Sequence, residues 1–412
     1  MAEAPCVGRV CGRRSAAMGS LLYLSAWGLD EGLTHSTVFP HLEVLQTSAR
    51  FEQLLLVTVE RERGVPFSPP FSVSRIQHRA MLRRPFRPAL LARMVEYLTW
   101  PEHISRICQA HRVELILARG APAGALAYLS RRHATPPFIV ESFEPHARYM
   151  LESGTWPRWD PRYVFQSRWE SAQKRHATAL LPVSEAYRRL LLEEGVPSEK
   201  LVTLPCTVDT RQFRFSPTSR RQARRELGVE DDCVLGIYVG KFGDNYYGKE
   251  AFWIFARFAE RLPGFRMLVL TPMRASDVQA LACEGHFPEE RLIVMSSPYG
   301  DVPRYLCGAD VAFATSRPTP SRRFVSLVKV GEYWASGLPI VITEGVGDDS
   351  EIIRSHSAGA VVTLTPASLD EAASRIRSLL RKPGHREHIA LLAGKYRSRS
   401  LIKEAYSALG LL

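Results

Sequence analysis

Lysine is scarce in this chain. Of the 54 basic residues eight are lysine, at positions 174, 200, 241, 249, 329, 382, 395 and 403, which leaves 46 arginines. A compact ammonium and a planar guanidinium are not interchangeable at a phosphate, so the positions of the few lysines matter. Long apolar runs are missing too: no stretch of about 18 uncharged apolar residues occurs, which excludes an ordinary membrane-spanning helix. The seven cysteines, at 6, 11, 108, 206, 233, 283 and 307, form no C-x-x-C pair and no zinc-type spacing with histidine. That excludes a disulfide framework and fits reduced thiols in a cytoplasmic protein. G-x-G-x-x-G is absent, and G-K is not followed by Ser or Thr at P-loop spacing, so neither nucleotide fingerprint is present. No repeat or low-complexity tract occurs. Residues 1–17 carry arginines but no continuous apolar core and do not read as a secretory signal. They are expected to be disordered or to precede the true start, for which Met18 is the better position.

What is present describes a large globular chain. At 412 residues it exceeds the size at which one core keeps growing, so two domains of roughly 200 residues each are expected. An apolar fraction of 45% supplies a full core, and the formal charge of +12 fits an anionic partner: a nucleotide, a phospholipid surface or nucleic acid. Strand-like and helical patterns alternate throughout, the signature of parallel sheets covered by helices. In the first half the strand-like runs are 21–25, 51–60, 113–119, 137–142, 177–184 and 200–205, separated by helices at 36–48, 86–111, 121–132, 162–176 and 185–194. Periodicity stops around 206–219, where Pro, Ser and Thr take over, and the linker is placed there. A second doubly wound series follows, with strands at 233–240, 266–271, 291–296, 310–316, 339–343 and 359–364 and helices between them. The domains expected are 18–208 and 209–383, with helical residues 384–412 returning to the first. Ligands of such sheets bind beyond the carboxyl ends of the strands.

Three strand-to-helix junctions of the second half carry candidate chemistry. In YVGKFGDNYYGKE (238–250) a buried strand ends at Gly240, a glycine-containing loop follows, and Lys249 opens the next helix. Helix-terminal amides with one or two ammonium groups make a diphosphate site, although Lys241 and Lys249 fit solvated loop lysines as well. In SLVKVGEYWASG (326–337), Leu327, Val330, Tyr333 and Trp334 suit burial while Lys329 and Glu332 share a face at i, i+3. The pair is either a surface ion pair or a ligand site whose carboxylate takes the vicinal hydroxyls of a ribose. In TEGVGDDSEI (343–352), Gly345 and Gly347 allow close backbone approach, and Asp348 or Asp349 can cap the following helix.

Taken together, GK…K after the first strand of the second half, PYGDVPRYLCGADVAFATS and SLVKVGEYWASGLPIVITEGVGD resemble the donor-binding domain of the retaining GT-B glycosyltransferases of group 1. The likeness covers most of 183–365 and is strongest in KVGEYWASGLPIV. It implies two facing Rossmann-like domains and transfer of a sugar from a nucleotide diphosphate sugar, metal-independent, with retention. Lys241 and Lys249 would hold the donor diphosphate and Glu332 the ribose. Ser297, Pro298 and Tyr299, with Val302, would receive the base, and Gly240, Lys329, Glu344 and Gly345 complete the donor set. Many members carry a second glutamate, which would fall at position 324; Phe324 stands there, and the chain resembles the Lys-x-x-Glu subgroup instead. In the first half, Gly28 and Gly32 follow the first strand where the family brings acceptor and diphosphate together. Glu141, Glu144 and His146, at the end of another strand, would face the cleft, His146 being the candidate for a family histidine, and Arg119 and Gly120, which end a third, would reach it. The acceptor would be a glycan or lipid-linked glycan of polysaccharide or cell-envelope biosynthesis. The basic stretch 75–93, read as a helix, is either a solvated face or a peripheral contact with the anionic inner face of a membrane. An epimerase or phosphorylase on the same scaffold, or a non-enzymatic basic binding protein, are the rival readings; no aromatic-interleaved basic motif supports nucleic acid.

Overall fold

A computed structural model of the chain describes residues 19–85 and 88–412; the expectation for 1–17 lies outside them. The chain divides into two compact units, one running to Thr207 and rejoined by Arg399–Leu412, the other Val208–Ser398.

The first unit contains the strands β1 (Ser20–Ser25), β2 (Gln53–Glu60), β3 (Ile76–Leu82), β4 (Val113–Arg119), β5 (Phe138–Phe143) and β6 (Ala179–Pro182). They form one sheet in the order β3-β2-β1-β4-β5-β6, every pairing parallel. The second contains β7 (Leu235–Val239), β8 (Arg266–Leu270), β9 (Leu292–Met295), β10 (Val311–Ala314), β11 (Ile340–Thr343) and β12 (Gly359–Val362), in the order β12-β11-β10-β7-β8-β9, again parallel throughout. Both are the doubly wound arrangement, in which the strand order reverses beside the first strand. Helices cover both faces, which is why β1 and β11 are wholly buried and read as continuous apolar runs instead of alternating ones. The second core centres on Phe313 of β10, met edge-on by Phe255 and Phe258 of the helix Lys249–Arg261 at 4.9 and 5.1 Å.

Four local expectations differ from the structure. Residues 76–82 form the edge strand β3 where a basic helix was expected; Pro85 and Pro88 delay the helix to Ala89–Ala110. Residues 200–205 add no strand, and Leu201 makes a single isolated bridge to Leu180. Within the expected linker and beyond it, Pro217–Leu227 is helical, opened by Ser216, whose side chain accepts from the Ser219 amide. The return of 384–412 to the first unit is shorter than expected. The helix His385–Tyr396 stays with the second unit, where Arg386 lies against Gly337 and Tyr396 beside Trp334, and the chain rejoins the first unit from Arg399.

The rejoining helix Ser400–Ala408 is held by polar contacts in the first core. Glu141 is fully buried, with Tyr23, Tyr406, His41 at 2.9 Å and Arg119 at 3.2 Å around it. Burial alone would raise its pKa, but His41, Arg119 and the tyrosine hydroxyls hold it at about 2.

Candidate active site

The reversal of strand order in the second unit lies between β7 and β10, and several sequence-predicted residues converge at that point. β7 ends at Val239, and Gly240 follows with φ +132°, a conformation that L side chains rarely adopt. A Cβ at Gly240 would meet the Lys329 Nζ at 3.0 Å, so the missing side chain is what admits the ammonium. Lys329 belongs to the helix Val328–Ala335, pinned over the strand end because Tyr333 Oη accepts the Val239 amide at 2.9 Å.

The half-buried Lys329 lies between two aromatic faces, 4.4 Å from the Tyr238 ring centre and 4.5 Å from that of Tyr246. Tyr246 is held in turn by the buried Arg322 guanidinium 5.2 Å from its ring; Arg322 also donates to Ser316 Oγ at 2.6 Å and to the Asn245 carbonyl at 3.2 Å. Burial first, and Arg322 second, push the Lys329 ammonium down to about 7, with Glu332 partly opposing. One turn on, Glu332 is buried and accepts a hydrogen bond from Tyr299 Oη at 2.9 Å. Burial pushes its carboxyl up to about 7, against the pull of Tyr299 and Lys329. Tyr299 follows β9 and leans on Phe213, with ring centres 5.7 Å apart, while Val302 is buried behind it. Gly240, Lys329, Glu332 and Tyr299 thus form one site: a cation whose charge is poorly solvated, beside a carboxylate held by one phenol. Such a site favours an incoming anion and can accept from hydroxyl groups.

The other candidates differ in exposure and in their partners. Lys241 is exposed, its carbonyl accepting from Tyr238 Oη at 2.7 Å. Lys249, at the first turn of its helix, is exposed and lies 3.6 Å from Glu284. Glu344 is paired on the surface with Arg354 at 3.0 Å, whereas Gly345, with φ +73°, has open space around it. The expected capping role of Asp348 and Asp349 is not found: neither side chain caps the helix Asp349–Ser355, and Asp349 is instead fully buried in an ion pair with Arg397, which also holds Ser326. Phe324 is buried, with Arg323 over its ring at 4.7 Å.

In the first unit, Glu141 was expected to face a cleft and is instead the buried hub described above. A Cβ on Gly28 would lie 2.6 Å from the Glu60 carboxylate that accepts the Leu29 amide; around Gly32 there is open space. His146 opens the helix His146–Glu152 edge-on to Trp156, and burial pushes its imidazole down to about 4, so the ring is neutral at pH 7. Among the described residues Glu230, Asp232 and Cys233 bring possible metal-ligand atoms within 4.8 Å of one another, a surface grouping that needs no ion.

Tyr238, Tyr246 and Arg322 were not singled out from the sequence. The tyrosines stand in the quoted loop motif, but nothing local distinguishes the ring that faces Lys329 from its neighbour Tyr247.

Residues 43–207 match the sequence profile of the glycosyl transferase 4-like domain, and 236–382 that of the glycosyl transferases of group 1. No curated protein matches the chain in sequence. Among solved structures it is similar to HepE of Anabaena in complex with UDP-glucose (TM-score 0.68, 15% identity, 95% of this chain and 100% of that one). It is also similar to WaaG, a glycosyltransferase involved in lipopolysaccharide biosynthesis (0.69, 16%, 95% and 99%). UDP-GlcNAc 2-epimerase from Neisseria meningitidis, bound to UDP-GlcNAc, shares the architecture more loosely (0.59, 11%, 95% and 99%). At these identities the likeness is one of fold, and that fold is GT-B, with two Rossmann-like domains.

Proposed function

We propose that this chain, a glycosyltransferase whose halves belong to the glycosyl transferase 4-like and group 1 families, moves a sugar from a UDP-sugar to a glycan or lipid-linked glycan, with retention at the anomeric carbon. The observation that carries the reading is the site at the β7–β10 reversal, where Lys329 and Glu332 sit on one helix between Tyr238, Tyr246 and Tyr299. HepE, similar in fold, binds UDP-glucose, which supports uridine as the base. Glu332, already accepting one hydroxyl from Tyr299, takes the ribose hydroxyls; Tyr299, Ser297 and Pro298 border the base, over Val302. Lys329, the glycine backbone at Gly240 and Gly345, and the exposed ends of Lys241 and Lys249 take the diphosphate, Lys249 exchanging its exposed partner Glu284 for the donor. Glu344 borders the same loop.

As the bond from sugar to diphosphate breaks, negative charge grows on the leaving group. Ammonium groups and amides already directed there stabilise the transition state more than the ground state. Charge neutralisation therefore falls to lysines and helix amides, without a metal. Of the first unit we assign Gly28 and Gly32 to the acceptor, and His146, neutral at pH 7, supplies a hydrogen bond without adding charge. The epimerase reading shares these contacts, but the two matched domains favour transfer. Calorimetric titration with UDP is the test. Glu332→Ala is expected to bind about tenfold or more weakly, the loss of hydrogen bonds to a charged acceptor; wild-type affinity in that variant contradicts the ribose role.

A further inference from the structure

The first unit exposes an apolar face that the transfer reaction does not use. On the helix Ala89–Ala110, Leu91, Met94 and Leu98 recur at i, i+3 and i+7 and are exposed, Leu98 to 75%. The opposite side of that helix, with Ala92, Glu96, Ile104 and Cys108, is the buried one. The helix Pro161–His176 joins this stripe through packed rings: Tyr97 meets Trp169 at a tilt with ring centres 4.5 Å apart, and Trp169 stacks on the exposed Phe165 at 5.8 Å. Just before that helix, Trp159 is 81% exposed. Singly exposed apolar residues are ordinary, but a stripe continued by aromatic rings across two helices is not.

The charge around the face is mostly positive. Between Trp156 and His176 five residues are Arg or Lys (158, 162, 168, 174 and 175) and two are acidic, Asp160 and Glu170. Both carboxylates are engaged: Asp160 with Arg162 at 2.7 Å, and the buried Glu170 with the Ala147 amide and Gln166. On the other helix Glu96 is held by Arg93, and Glu102 by Arg106. Arg158 and Arg168 are exposed beside Trp159 and Trp169. Aromatic and aliphatic side chains ringed by arginine match the boundary between acyl chains and anionic head groups, where indole and phenol rings settle preferentially.

We propose that this face, formed by Ala89–Ala110, Trp159 and Pro161–His176, seats the protein on the surface of a lipid bilayer bearing anionic head groups. The contact is separate from the donor site and replaces the one expected from a basic helix over 75–93, of which 76–82 form an edge strand. Co-sedimentation of the full chain with vesicles tests it, using phosphatidylcholine alone and phosphatidylcholine with phosphatidylglycerol. The wild type is expected to sediment with the anionic vesicles and to be released by salt. The double variant Leu98→Ser, Trp159→Ala is expected to bind about tenfold or more weakly, having lost two buried apolar side chains. Arg158→Glu with Arg168→Glu is expected to weaken binding at least about fivefold, with the loss confined to anionic vesicles. Both variants alter exposed side chains and are expected to keep the wild-type melting temperature and UDP affinity. The proposal is overturned if the wild type ignores both vesicle types, if both variants bind as the wild type does, or if the apolar variant instead converts a dimer to a monomer without any vesicle binding, which would make a second copy the occupant.

Discussion

Replacing Lys329 by methionine should make the protein more stable and a poorer binder of UDP. Methionine keeps the aliphatic length between Tyr238 and Tyr246 and removes the ammonium. In the folded chain that ammonium is held at about 7, against an ordinary 10.5. At about 1.4 kcal/mol per pH unit, holding it there costs the fold about 4 kcal/mol at pH 7 as a ceiling. The side chain is half-buried, and solvent screening reduces the realised gain on substitution to about 1–2 kcal/mol, or about 2–8 °C in the melting temperature of a unit this size. Glu332 loses its cation but is itself held at about 7; its pKa rises further, so at pH 7 it is mostly protonated and leaves no bare buried charge, whereas above that pKa its ionisation works against the variant. The pH dependence carries a sign. Between about 7 and 10.5 the unfolded chain keeps the lysine proton and the folded chain does not, so the wild type gains stability as pH rises through that window. The methionine variant lacks this gain, and the difference between the two should close by about pH 10. Affinity moves the other way: losing one charged donor to a diphosphate is expected to cost about 2–3 kcal/mol, or about 30- to 150-fold in Kd. Calorimetry from pH 7 to 10, with and without UDP, reads both effects. A methionine variant that melts below the wild type at pH 7 and is stabilised by UDP to the same degree would refute the reasoning.

Lys249→Ala should lower turnover about a hundredfold, the typical effect of losing one charge-stabilising donor, and leave the fold intact because the residue is exposed; unchanged steady-state rates remove it from the reaction. Asp349→Ala strands the buried Arg397 and should destabilise the second unit by about 3–5 kcal/mol, seen as a lower denaturant midpoint. An unshifted midpoint would mean that Arg397 finds solvent.

The sheets of the second unit were legible nearly strand by strand, because each strand between Leu235 and Val362 is a short apolar run bounded by glycine, proline or a charged turn, and each helix has its own 3.6-residue stripe. The first unit was harder to read at its edges. β3 lies at the rim of its sheet, where just one neighbour demands burial, and its sequence of Gln77, His78 and Arg79 between apolar ends carries no strong period of either kind. Residues 200–205 have the apolar content of a strand, yet they pair with β6 through isolated contacts, because strand content without a full ladder of partners does not make a strand.

Local pattern alone determined that two doubly wound sheets exist, that Gly240 ends a buried strand, and that Lys329 and Glu332 share a helix face, since each of these depends on residues within a few positions of one another. Tertiary structure alone decided that Lys329 lies between Tyr238 and Tyr246, that Tyr299 hands its hydroxyl to Glu332, that Asp349 belongs to Arg397, and that Glu141 is a buried hub and not a cleft residue. Those outcomes depend on sheet register and helix packing, which join positions tens to hundreds of residues apart, and on how far each charge is thereby withdrawn from water.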